Sequence, residues 1–315
     1  DRLSFEAAQY AAANEYDKPA SAIGAKGTNA YTWVEQTVYV NDIPSNALHK
    51  FLQLESERFK TLVLRLFHTE LETVYEEYNR SLDNDRRWSD ANIDKLLLPN
   101  HPYGTQTTIG EGEHLKNPSM VNIYDYFNKY YRPNNMAIIL AGDLDLDKTM
   151  ALIRQSFGTW QPARIPPFVK QPAPVLSAPV EATYVGPQPE HVYVGYLFNG
   201  ANSRDAMLLK LVDNILANGE AGLIDLDLVQ QQKVLNAYSF IDENTDYCFH
   251  KLYGEPKQGQ KLEDVRDLLL AEIEKLKKEG WWGEKEVLDE FTGEMVKTKF
   301  DPARLKLIFD TNTRM

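Results

Sequence analysis

The chain has 315 residues, with 46 acidic against 34 basic side chains and a formal net charge of −12. That length is enough for two domains with cores of their own, and the acidic surplus argues against nucleic acid, whose phosphates need a concentrated basic face. The single cysteine, Cys248, excludes an internal disulfide framework and a cysteine-built zinc site, and no apolar run reaches the roughly 18–20 residues of a membrane span.

The chain begins at Asp1 without a methionine or a signal-type segment, and Asp1–Lys18 reads as helical, so the sequence is expected to be a piece of a longer protein. Gly27–Thr32 and Thr37–Ile43 read as paired strands rich in β-formers. Ser45 is the expected N-cap of a helix running to about Thr61, whose apolar positions Leu48, Phe51, Leu52, Leu54 and Phe59 partly follow helical spacing. Phe67–Leu82 is a second, acid-rich helix. A third, Asn117–Tyr131, is stopped by Arg132-Pro133. Met136–Gly142 reads as a short buried strand and Asp147–Phe157 as a helix ended by Gly158.

Gln161–Glu190 holds eight of the sixteen prolines and cannot be a helix or central strand, so it reads as an extended linker. Beyond it come a strand at Val192–Phe198, a helix at Ser203–Asn218 and a glycine turn at Gly219–Gly222. Strands around Ala237–Ile241 and Tyr247–Gly254 and a helix at Leu262–Lys278 follow. Trp281 and Trp282 read as packing residues, and the polar segment from Phe291 on reads as helical. Both halves share a strand, helix, hairpin, helix rhythm, which suggests a duplicated α+β unit. The expected division is 1–160, a linker at 161–180, and 181–315.

The six histidines include no i,i+4 pair, so the two-histidine helical face of a zinc peptidase is absent from this chain. There is no GxSxG, phosphate loop or GxGxxG, and Cys248, between Tyr247 and Phe249, reads as core rather than nucleophile. One acidic cluster stands out: Glu70, Val74 and Glu77 fall at i, i+4 and i+7, on one helical face. By periodicity alone this is a solvated acidic helix with Arg80, Arg86 and Arg87 as partial counter-charges.

The order of motifs adds a second clue. Gly24 and Gly27 lie in a turn, Asn29-Ala30-Tyr31-Thr32 in a strand, Thr37 and Tyr39 in its partner, and Glu70-x-x-x-Val74-x-x-Glu77 in a helix. His101-Pro102-Tyr103-Gly104, the Tyr130–Asp143 run and the proline-rich stretch follow. This order and spacing resemble the insulinase/pitrilysin family of zinc peptidases, the inverted zincins. The resemblance implies an α+β fold of two similar domains, each a mostly antiparallel sheet packed with helices, of the LuxS and mitochondrial processing peptidase type.

By the same resemblance Glu77 matches the zinc-ligating carboxylate, Glu70 a supporting acidic residue, and Asn29, Ala30 and Tyr31 the edge strand that takes an extended peptide substrate. The family's H-x-x-E-H helix should precede Asn29, yet the 28 residues before it contain no histidine. The expectation is therefore zinc in the complete protein, with this chain alone inactive and without tightly bound zinc. Pairing with a second homologous chain or half is implied, as is a periplasmic or secreted setting. The competing reading is a catalytically silent structural or substrate-holding subunit of the same family.

Overall fold

The computed structural model describes residues 2–3, 6, 9–12, 15–176 and 178–279, together with the backbone of two later strands. In chain order the elements are α1 (Asp17–Ala22), β1 (Lys26–Thr32), β2 (Thr37–Asp42), α2 (Leu48–Lys60), α3 (Phe67–Leu82), α4 (Asp85–Leu97), α5 (Pro102–Thr105), α6 (Gly112–Lys116), α7 (Met120–Tyr130) and α8 (Leu146–Phe157). After a long extended stretch come β3 (Val192–Asn199), α9 (Arg204–Leu216), β4 (Asn236–Glu243), β5 (Tyr247–Glu255), α10 (Leu262–Glu279), β6 (Lys285–Leu288) and β7 (Met295–Thr298). The protein is α+β, in two compact units. One comprises the described residues up to Asn79 with Thr108–Val169, the other Arg80–Thr107 with those from Lys170 on.

The first unit is built around the antiparallel β1–β2 hairpin. Gly24 (φ +89°) and Gly27 (φ +58°) take the left-handed backbone that leads into β1, where a side chain would be strained. On α2, Leu48, Phe51, Leu52, Glu55, Ser56 and Phe59 are buried, a stripe at i, i+3, i+4 spacing that faces the interior. Lys60 Nζ, at the end of α2, donates to the Ser156 carbonyl at 2.7 Å in the last turn of α8, where a cation suits the helix dipole. Ser119 rather than Asn117 starts α7, its hydroxyl accepting from Asn122 N.

The expected buried strand at Met136–Gly142 is corrected. These residues join no ladder among the described residues, and Ile139 is 88% exposed. Hydrophobicity alone does not make a strand; it needs a paired neighbour to satisfy its backbone, and none of the described strands lies alongside.

The second unit is a three-stranded antiparallel sheet in the order β3-β5-β4, covered on both faces. On one face Tyr196, Phe198, Cys248 and Leu252 meet Leu209, Val212 and Leu216 of α9 and Val265, Leu269 and Ile273 of α10. On the other, Phe249 and Tyr247 pack with Leu97 and Leu98 at the end of α4. The helix approaches closely because β3 carries a glycine: a Cβ at Gly195 would stand 2.6 Å from Ile93 Cδ1. Cys248 is fully buried. The proline-rich stretch forms neither helix nor strand, and from Lys170 it is pinned to this unit. Tyr247 Oη donates to the Gln171 carbonyl (3.0 Å) and accepts from Ala173 N (2.9 Å).

The helical reading from Phe291 on is corrected at Met295–Thr298, where β7 pairs antiparallel with β6, and the remainder of that segment lies outside the described residues. Backbone pairing overrides the weak helical propensity of a short polar run. Trp281 and Trp282 lie outside the described residues. Helix α4 is an element that the sequence did not announce. Its cap, Asn84 accepting from Arg87 N at 3.0 Å, was the available signal.

Candidate functional site

The two sequence features singled out for chemistry, the β1 strand and the acidic face of α3, both fall in the first unit. Every residue of β1 is exposed, and its ladder runs to β2 alone, pairing Asn29 with Val40, Ala30 with Tyr39 and Tyr31 with Val38. Among the described residues, the other edge of β1 carries no strand. Asn29 Oδ1 accepts from Ala30 N at 2.8 Å, so this side chain already engages one backbone donor of the strand. Tyr31 is half exposed.

The hairpin is held by an aromatic and guanidinium platform. Tyr39 meets Phe59 edge-on with ring centroids 5.0 Å apart, and its hydroxyl lies 3.0 Å from that of Tyr131. The Arg58 guanidinium lies within 4.3–4.8 Å of the rings of Tyr16, Tyr39 and Phe59. Glu55 fixes it, accepting from Arg58 at 2.5 Å and from the Tyr16 hydroxyl at 2.6 Å. Burial, and then the contact with Glu55, push the Tyr16 phenol up; burial and Tyr39 do the same to Tyr131. Both stay protonated. Beside the platform lies a cleft of about 340 Å³ lined also by Leu62, Ile123, Tyr126 and Phe127. The sequence reading missed this support, although Glu55 and Arg58, three apart at the edge of an apolar stripe, were its signal.

On α3, Glu70 and Glu77 are exposed and Val74 half-buried. Neither carboxylate has a hydrogen-bond or ion-pair partner among the described residues. Arg86, expected as a counter-charge to this helix, instead pairs with Glu255 and covers the Tyr253 ring at 4.9 Å. His101 serves structure rather than chemistry. It is 1% exposed, its Nδ1 accepts from Tyr103 N at 3.2 Å to cap α5, and Nε2 then donates to Asp246 at 3.1 Å.

The donor set decides how far a zinc ion fits these residues. A zinc peptidase site uses three protein ligands, and imidazoles commonly supply two. His68, on the same helix, sits two residues before Glu70, about 200° round the axis and away from the Glu70–Glu77 face. The only trio of His, Cys, Asp or Glu side chains with ligand atoms within 4.8 Å of one another, among the described residues, is Asp90, Asp94 and Asp242, which belong to the second unit while Glu77 belongs to the first. Glu77 thus offers a solvated carboxylate but no complete site. The described residues of this chain do not by themselves fit the metal.

Residues 121–289, more than half of the chain, match the family described as Peptidase M16 inactive domain. The zinc protease PqqE of Helicobacter pylori is 25% identical over 294 residues, an alignment taking in 88% of this chain and 64% of PqqE. The chain therefore spans less than two thirds of that relative. Among solved structures, a protease from Helicobacter pylori superposes with a TM-score of 0.69 at 23% identity, over 88% of this chain and 70% of that one. The periplasmic protease PqqL from Escherichia coli gives 0.67 at 17% identity, over 90% and 33%.

Proposed function

Because the chain belongs to the M16 peptidase family, we propose that it forms the peptide-holding part of a zinc endopeptidase and contributes one carboxylate to the metal. The observation that carries this reading is the solvent-facing β1 strand, paired on one side only. An extended peptide adding to that edge gains main-chain hydrogen bonds with little dependence on its side chains. Ala30 supplies the outward backbone groups, since alternate residues of the strand turn theirs to β2, and Asn29 swings aside to release Ala30 N–H. In the complete peptidase Glu77 would ligate zinc and Glu70 would orient the ligand set from behind. Zinc would supply Lewis acidity there.

On its own this chain retains no stoichiometric zinc and cleaves no peptide, since Glu77 stands without imidazole partners. The periplasmic setting of the Escherichia coli protein supports a periplasmic or secreted location. Architectures in which two homologous halves meet support pairing with a further half.

A catalytically silent, substrate-holding subunit is the second reading, favoured by the match to the family's inactive domain. Both readings keep the peptide edge and differ over Glu77. The test is Glu77→Gln in the full-length protein, read by zinc content and peptide hydrolysis. Loss of both supports the metal role. Unchanged zinc content and hydrolysis would overturn it, and a parent protein with neither zinc nor hydrolysis selects the silent subunit.

A further inference from the structure

The second unit holds a charge cluster, a buried lysine among three half-buried carboxylates, that the peptide and zinc chemistry does not use. Lys251, in the centre of β5, has no exposed side-chain surface, and its Nζ lies 2.7 Å from each of Asp90 Oδ1, Asp94 Oδ1 and Asp242 Oδ2. Two of these carboxylates come from α4 and one from β4, so the cluster joins the helix to the sheet it covers.

We propose that this cluster is a proton-operated clamp, in which a proton held among the three carboxylates seats α4 on the sheet and its loss loosens the helix. Fully ionised, the cluster sets three negative charges against one positive charge. The carboxylate oxygens lie within 4.8 Å of one another, and the Phe249 and Phe240 rings stand 5.2 and 5.8 Å from the ammonium. One ammonium cannot neutralise three carboxylates in such surroundings, and like charges this close disfavour joint ionisation.

Of the neighbouring groups, His191, just before β3, has both ring nitrogens engaged, with Ser89 Oγ of α4 at 3.0 Å and the Pro189 carbonyl at 3.1 Å. Arg86 of α4 is committed to Glu255 of β5. Tyr193 of β3 and Tyr253 of β5 are phenols that burial pushes up, so they remain neutral. Tyr238 of β4, stacked on Tyr253, adds no positive charge.

Burial outweighs the pull of Lys251 and raises the Asp94 carboxyl to about 7; it raises Asp90 in the same sense. Lys251, held among carboxylates, is itself raised and stays charged throughout. With α4 released into water, Asp94 returns to an ordinary carboxylate value near 3.9. A carboxyl raised in the folded state contributes stability that is complete below the unfolded value and is lost as pH rises through the folded one. The clamp is therefore tight in acid and slack above neutrality.

Amide hydrogen exchange of residues 85–97 in the whole chain tests this, after correction for the intrinsic pH dependence of exchange. The opening constant of α4 is expected to rise about tenfold per pH unit between roughly pH 5 and 7, the slope for one proton, and then to level off. Asp94→Asn should flatten the profile, and Asp90→Asn should lessen the slope. A flat profile in the unaltered chain, or a slope unchanged in both variants, would overturn the clamp. Should a variant fail to fold, the ¹³C carboxyl titration of Asp94 in the unaltered chain decides. A midpoint near neutrality supports the clamp, and one in the ordinary carboxylate range contradicts it.

Discussion

The β1–β2 and β4–β5 hairpins are similar in kind and opposite in surroundings. Every residue of β1 is exposed, whereas β5 is buried along its length save for its last residue. The difference lies in the neighbours. Among the described residues, β5 has a strand on each side and helices on both faces, while β1 has β2 alone. A strand surrounded on all sides becomes core, and its side chains set stability. A strand with one free edge keeps unsatisfied backbone groups, which suit it to pairing with another chain. One hairpin is thus read as scaffold and the other as a surface for a ligand.

That contrast can be broken by truncation. Leu252→Ala, at a fully buried site on β5, should cost about 2–5 kcal/mol in urea unfolding. The matching change on β1, Tyr31→Ala, should stay within about 0.5 kcal/mol. Equal losses would erase the distinction. Gly195→Val, which sets new methyl groups against Ile93 and Leu97, should cost about 1–3 kcal/mol by the same measurement. His101→Ala removes the cap on α5 and the partner of Asp246, and about 1 kcal/mol or somewhat more is expected. At the other region, Glu70→Gln in the complete peptidase should weaken zinc retention by roughly 10–100-fold without unfolding the chain, measured by competition with a chelator.

The same contrast explains what could be read from the residues in order. Helix α2 was legible because its apolar residues repeat at helical spacing, and the β1–β2 pair because β-formers flank a short polar connection. The glycines at 24 and 27 marked backbone that only they take easily. Met136–Gly142 was misread because an apolar run says nothing of whether a partner strand lies beside it.

Helix α4 escaped notice because its face toward the sheet mixes Ile93 and Leu97 with two acids: Asp90 and Asp94, four apart, look like a solvated pair. Their meaning depends on Lys251, some 160 residues on, where a lysine inside the run Tyr247–Gly254 was the overlooked sign. For the candidate site, the motif order supplied Glu70, Glu77 and the strand 29–31. The Arg58 platform beneath the hairpin emerges only from packing, since Tyr16, Arg58 and Tyr131 are far apart in sequence.

The central claim is that β1 receives an extended peptide through its backbone. The most direct measurement is amide NMR of the chain titrated with an extended peptide and with analogues N-methylated at successive positions. The account predicts shift changes concentrated in Lys26–Thr32 and a loss of binding on methylation at every second peptide amide, because alternate amides point toward the strand. Shift changes lying elsewhere, or binding indifferent to N-methylation, would contradict it.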